Sequence, residues 1–275
     1  MLSFLSNQGG SVKVFISLFV LATLIGCATN NIDYRMPASR FQTPEVTGGA
    51  LFQMDLQARA NLNYGSSNRV ATSNILQDTL QDEDEELLIR SSSQIGLKLD
   101  FSVLDRLDMY WTIVWGSPAV GGFKWQFLGE TEREYSKGWK GSVALGWGSS
   151  KSDPAIFNFL NSDDEYLSTS EMSVYDLSLQ FGYRFNPRLL LYLNGFYNPY
   201  KTDVKLEAPD DASYDDIEQT LETDSYGVLI GIQYYFVSKR SFVNLELGGS
   251  QGTIENMDEE SKIATLGLNF GWIFN

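Results

Sequence analysis

Histidine is absent from the 275 residues, and cysteine occurs once, at Cys27. Without an imidazole the chain has no Ser-His-Asp or Cys-His pair for nucleophilic catalysis and no His-ligated metal. One thiol makes no intramolecular disulfide. Long apolar runs are also scarce: beyond the extreme N-terminus none reaches the roughly eighteen residues of a membrane helix. Positive charge is in short supply, with 20 Lys and Arg against 35 Asp and Glu, a net charge of −15. Nucleic acid phosphates would be repelled, so that class of partner is excluded. A Gly-rich phosphate cradle, the D-x-[DN]-x-[DN]-G spacing of a calcium loop and an internal repeat are missing too, and no cofactor is expected.

What the chain has instead is alternation. In residues 52–64 every even position is apolar or aromatic (Phe52, Met54, Leu56, Ala58, Ala60, Leu62, Tyr64) and every odd position is polar. A period of two over that length is the mark of a two-faced strand, about 40 Å long at 3.3 Å per residue. Strands of soluble domains usually stop at about half that length. The same pattern recurs over 95–103, 109–115, 123–127, 139–147, 173–185, 189–197, 226–236, 243–247 and 264–274. The connections alternate between long acidic ones and short ones that are often basic. The exception is 117–119, which is short on the long-loop side. The expectation is an all-β, ten-stranded, antiparallel up-and-down barrel, with both of its ends on the short-turn side.

The apolar faces of these ten segments carry no Asp, Glu, Lys or Arg, and all six Trp residues lie on them: Trp111, Trp115, Trp125, Trp139, Trp147 and Trp272. A charge at the middle of a bilayer costs about 2–4 kcal/mol, so a charge-free face suits lipid contact. Trp near strand ends suits a membrane interface, where the ring is buried and its N–H stays wet. The apolar face is therefore expected outward. The other face carries Asp55, Asp100, Asp176 and Glu246 against Arg59, Lys98, Lys124 and Arg184. Four acids and four bases read as a paired network filling a narrow lumen, into which Tyr192, Phe196 and Tyr235 also point. The sharper alternative is a narrow ion-selective passage. The competing architecture, a soluble calycin-like barrel with the apolar face inside, would crowd six Trp into one lumen and leave few charges on its surface.

The N-terminus reads as a targeting segment. Lys13 precedes the apolar run 14–25, which ends in Leu24-Ile25-Gly26-Cys27. This quartet resembles the bacterial lipobox, which implies a lipidated Cys27 as the first mature residue. Ala28 in place of Asp implies, by the same resemblance, export to the outer membrane. The expected organisation is a lipoprotein signal peptide over 1–26, a periplasmic tether over 27–48 and the barrel over 49–275. The stretch 29–48 has no periodicity and contains Pro37 and Pro44, which suits a spacer; the alternative is that Arg35-Met36-Pro37-Ala38-Ser39-Arg40-Phe41 within it is a docking peptide.

Over 49–275 the chain resembles bacterial outer-membrane β-barrels in general, joined to a lipoprotein-type signal. Phe274, next to the terminus, resembles the aromatic-ended closing strand that barrel-assembly machinery recognises, although Asn275 follows it. The resemblance implies the bacterial outer membrane as location, with acyl chains in the periplasmic leaflet. It implies outer-membrane lipid, surface glycolipid, the assembly machinery and a protein partner in that membrane as contacts. Outer-membrane barrel enzymes such as omptin-like proteases, lipid A acyltransferases and deacylases, and phospholipases rely on a His that this chain lacks. A carboxylate pair such as Asp55 and Asp100 is the only acid–base alternative. The expected function is non-enzymatic: a structural, surface-exposed or partner-binding component of the outer membrane, including a subunit of a larger assembly. The alternative is a narrow channel or transporter for a small or hydrophobic solute.

Overall fold

The computed structural model describes residues 33–37, 40–49, 56–71, 90–151, 155–158, 165–207, 217–236, 241–254 and 259–274. All of them belong to one unit, Asn31–Asn275. Cys27, Asp55, the expected signal peptide over 1–26 and the acidic run 82–86 lie outside the described residues. The strands are β1 (Asp33–Pro37), β2 (Leu56–Ala71), β3 (Arg90–Leu104), β4 (Leu107–Val114), β5 (Ala119–Leu128), β6 (Gly138–Lys151) and β7 (Ala155–Asn158). They continue with β8 (Glu165–Asn186), β9 (Leu189–Glu207), β10 (Ile217–Tyr235), β11 (Ser241–Ile254) and β12 (Glu259–Phe274).

Ten of these strands form a closed antiparallel ring, each paired to its neighbour in sequence. The ring shuts where β2 pairs both β3 and β12, with Leu56 opposite Phe101 on one side and Phe274 on the other. The two remaining strands lie off the ring: β1 pairs the far end of β2, and β7 pairs the far end of β8. Closure matters because it leaves no unpaired edge, which a bilayer would not tolerate. Tight connections such as 105–106 and 187–188 mark one end of the barrel. Asn186 stabilises the second by accepting from the N–H groups of Arg188 and Leu189.

The two faces separate as the alternation predicts. Trp111, Leu177 and Leu266 are 53%, 44% and 41% exposed, whereas Lys98, Asp100 and Arg184 are fully buried. Outside, aromatic side chains ring the short-turn end in contact with one another. Trp139 lies 5.2 Å from Tyr183, Tyr183 5.0 Å from Phe185, and Phe127 5.6 Å from Phe181, between ring centres. A second aromatic row follows eight residues along the same strands: Trp147 on β6, Tyr175 on β8 and Tyr226 on β10, the partner of Tyr197 on β9. Eight residues measure about 26 Å along a strand, or about 20 Å along the barrel axis at a tilt of about 40°, so the two rows bracket most of the ~25 Å apolar band of a membrane barrel.

Beyond that second row β8, β9 and β10 continue well past the stretches in which the alternation is apolar. Their outer face there turns charged, with Lys201, Asp203, Glu207, Glu218 and Glu222 exposed and Lys205 and Asp224 half-buried among them. Lys205 pairs with Glu207 at 3.2 Å and Glu218 at 3.8 Å. A wall that is greasy for one band and charged above it stands partly in lipid and partly in water.

Inside, large rings sit over glycines on the neighbouring strand. Tyr192 faces its register partner Gly231, Phe196 faces Gly227, Phe242 faces Gly271 and Tyr110 faces Gly122. A Cβ at Gly231 or Gly271 would fall on the ring of Tyr192 or Phe242. The absence of a side chain on one strand makes room for a large one on the next, which lets a narrow bore be filled without strain.

Candidate functional site in the barrel interior

The interior is organised around a segment that the sequence reading assigns to the periplasmic tether. Residues 40–49 run inside the ring, and all of them are buried. This corrects the expected tether over 27–48 where that stretch is described. Pro37 and Pro44 break any regular repeat, so the sequence looks like a spacer. Its polar groups instead find partners that are remote in the chain and close in space.

The contacts descend the barrel in order. At mid-height the successive N–H groups of Arg40 and Phe41 both donate to Glu246 Oε2 at 3.0 Å, and Tyr192 Oη donates to Glu246 Oε1 at 3.0 Å. Phe41 has a left-handed backbone with φ of 49°. That bend aims consecutive N–H groups at one point, a concavity suited to an anion. The Arg40 guanidinium lies 3.0 Å from Asp176 and 5.3 Å from the centre of the Phe196 ring. Asp176 also accepts from Tyr110 Oη at 2.8 Å and Asn198 Nδ2 at 3.1 Å.

Lower down, Lys98 Nζ donates to Gln42 Oε1 at 3.2 Å and to Asp100 Oδ1 at 2.6 Å. Ser142 Oγ contacts the carbonyl of Thr43 at 3.3 Å and Gln180 Oε1 at 2.7 Å. Pro44 packs against Gly182, where a Cβ would meet its ring at 2.9 Å. Glu45 then meets the lower cations. Arg184 grips its carboxylate with Nε and Nη2, and Lys140 Nζ stands 3.4 Å away. The Glu45 carbonyl accepts from Lys124 Nζ at 2.7 Å.

At the short-turn end Val46 N–H donates to Gln126 Oε1 at 2.9 Å, while Thr47 gives its N–H and its hydroxyl to Asp108, each at 2.7 Å. The connection between β5 and β6 folds in beneath. Its short 3-10 turn, Glu132–Glu134, donates from Glu132 N–H to the Val46 carbonyl at 2.9 Å. Tyr135 from the same connection packs edge-on against Tyr235 at 5.4 Å, and the Arg184 guanidinium lies over both rings. A buried charge without a partner costs several kcal/mol, so this dense pairing is what allows so many ions inside.

Of the residues read from sequence as the lumen network, Lys98, Asp100, Lys124, Asp176, Arg184 and Glu246 are all buried on the inner face. Arg59 is described by its backbone, in register with Lys98 and Gly271. The network is not closed among those residues: Arg184, Lys124 and Glu246 reach mainly to the inserted segment rather than to one another. The sequence reading missed Asp108 and Lys140, both fully buried or nearly so. Strand parity was the available signal, since each sits beside an outward residue, Met109 or Trp139. It also missed Glu45, for which no local signal exists, and had Arg40 only within the alternative docking peptide, not as the partner of Asp176. The six Trp residues all point outward, between 49% and 66% exposed.

No protein-family model matches the chain, and no curated protein does. Among solved structures it is similar to the N-terminal β-barrel domain of Pseudomonas aeruginosa OprF, with 12% identity, a TM-score of 0.28, 81% of this chain and 100% of that one covered. It is similar to Ail, the attachment invasion locus protein of Yersinia pestis, with 13% identity, a TM-score of 0.30, and 80% and 97% covered. It is also similar to Neisserial surface protein A, with 12% identity, a TM-score of 0.30, and 80% and 97% covered.

The membrane assignment stands on the barrel's own two faces. A closed ring with a charge-free greasy belt between aromatic rows, and ions packed inside, is a membrane-spanning barrel. Water would solvate the opposite arrangement.

Proposed function

We propose that this protein is a sealed, non-enzymatic barrel of the bacterial outer membrane, acting as a structural, surface-exposed or partner-binding component rather than as an open pore. The observation that carries the reading is Glu45. It enters the lower bore on the 40–49 segment and is held by Arg184 and Lys140. An ion that reached this level would meet cations already neutralised and a backbone already bonded to Lys124, Gln126 and Asp108. Asp100 and Asp176 are each bound to cations or donors of the wall and the inserted segment. The charged upper walls of β8, β9 and β10 are the surface offered to an outside partner.

Purified protein reconstituted in planar bilayers tests this. The full chain is expected to show no conductance above background, and a Glu45→Lys variant, which sets a third cation against Arg184 and Lys140, is expected to conduct. Steady conductance by the unaltered protein would overturn the reading in favour of the narrow channel.

A further inference from the structure

The direction in which the inserted segment runs has a topological consequence. On β8, Glu45 meets Arg184, two residues above the last residue of the strand at the short-turn end, whereas Arg40 meets Asp176, eight residues higher on the same strand. Thr47, nearest to the start of β2, meets Asp108 at the foot of β4. Going backwards along the chain, the segment therefore climbs from the short-turn end. It ends in β1, which pairs antiparallel with the top of β2. Pro37 stands opposite Ser67, and Asp33 stands opposite Ala71, the last residue of β2 before the acidic connection 72–89. The ladder of contacts leaves only one direction of travel. The C-terminal end of β12, Phe274, lies at the opposite end, beside Leu56.

We infer that the chain enters the bore at the long-loop face, so that Asp33, at the outer end of β1, stands at the cell surface and the inserted segment runs from there down to the short-turn end. This rests on the outer-membrane reading above.

Single cysteines in the otherwise unaltered chain, with the parent protein as the control for any labelling of Cys27, are probed with a membrane-impermeant maleimide in intact and in permeabilised cells. Lys151→Cys, at the exposed long-loop end of β6, and Arg188→Cys, in the short turn after β8, report the orientation of the barrel. Asp33→Cys reports the segment. The expected result is at least tenfold stronger labelling of intact cells at Lys151→Cys and Asp33→Cys than at Arg188→Cys, with Arg188→Cys labelled after permeabilisation. If Lys151→Cys stays silent on intact cells, the outer-membrane reading fails. If Lys151→Cys is labelled and Asp33→Cys needs permeabilisation, the threading alone is overturned. A protease site inserted directly before Asp33 decides the case in which strand pairing shields the thiol. Cleavage by protease added to intact cells upholds the inference, and resistance, or cleavage confined to permeabilised cells, overturns it.

Discussion

The Arg184 guanidinium holds the Glu45 carboxylate from two sides, with Nε donating to Oε1 at 2.7 Å and Nη2 to Oε2, across 139 positions of sequence. Both side chains are fully buried. Planar two-point pairing of this kind is among the stronger ion pairs, and it fixes geometry as well as charge. Removing one partner leaves the other ion buried and unpaired, at a cost of about 3–5 kcal/mol. Glu45→Gln is therefore expected to lower the thermal unfolding midpoint in detergent. The double variant Glu45→Gln with Arg184→Met should recover part of the loss. The check is a double-mutant cycle, with a coupling of about 0.5–3 kcal/mol expected.

Asp176 and Arg40 form a second pair, but an unequal one. Asp176 keeps two further donors, Tyr110 and Asn198, when Arg40 is removed. When Asp176 is neutralised, the Arg40 charge stays inside without its carboxylate. Asp176→Asn should thus destabilise more than Arg40→Gln, and thermal melts of the two variants side by side give the order.

The rings seated on glycines make a steric prediction. Gly231→Ala and Gly271→Ala push a methyl group into Tyr192 and Phe242, and overpacking of this kind costs about 1–3 kcal/mol. Gly121→Ala, where a Cβ meets nothing within 4 Å, should stay within about 0.5 kcal/mol of the parent. Unfolding curves in urea for the three variants check it.

A charge on the outer wall should be tolerated or not according to its height. Ile230→Arg, in the middle of the apolar band, is expected to cost about 2–4 kcal/mol and to reduce the folded fraction on refolding into vesicles. Thr220→Arg, higher on the same strand where Thr220 already bonds exposed Asp203, should refold like the parent. Band shifts on unheated gels measure both.

The ring of staves was legible because alternation is a local property: each strand states its two faces in its own residues. Lys98, Lys124 and Arg184 follow from that parity without any knowledge of neighbours. The extensions of β8 to β10 were not legible as parts of the same staves, because above the apolar band the parity of the apolar residues reverses: Tyr200, Val204 and Leu221 turn inward while Lys201, Asp203 and Glu222 face out. The inserted segment was hidden for a different reason. Residues 40–49 have no repeat, and what makes Arg40 and Glu45 structural is the presence of Asp176, Arg184 and Lys140, which the sequence places far away. A pattern reader sees a spacer wherever the partners of a polar stretch are supplied by distant strands.

The seam between Leu56–Tyr64 and Leu266–Phe274 closes the ring over a segment held by Glu246, Lys98, Lys124 and Arg184. The cylinder thus supplies its own stuffing: hoop and filling are one continuous polypeptide, and the ions of the wall find their counterparts without recruiting a second molecule.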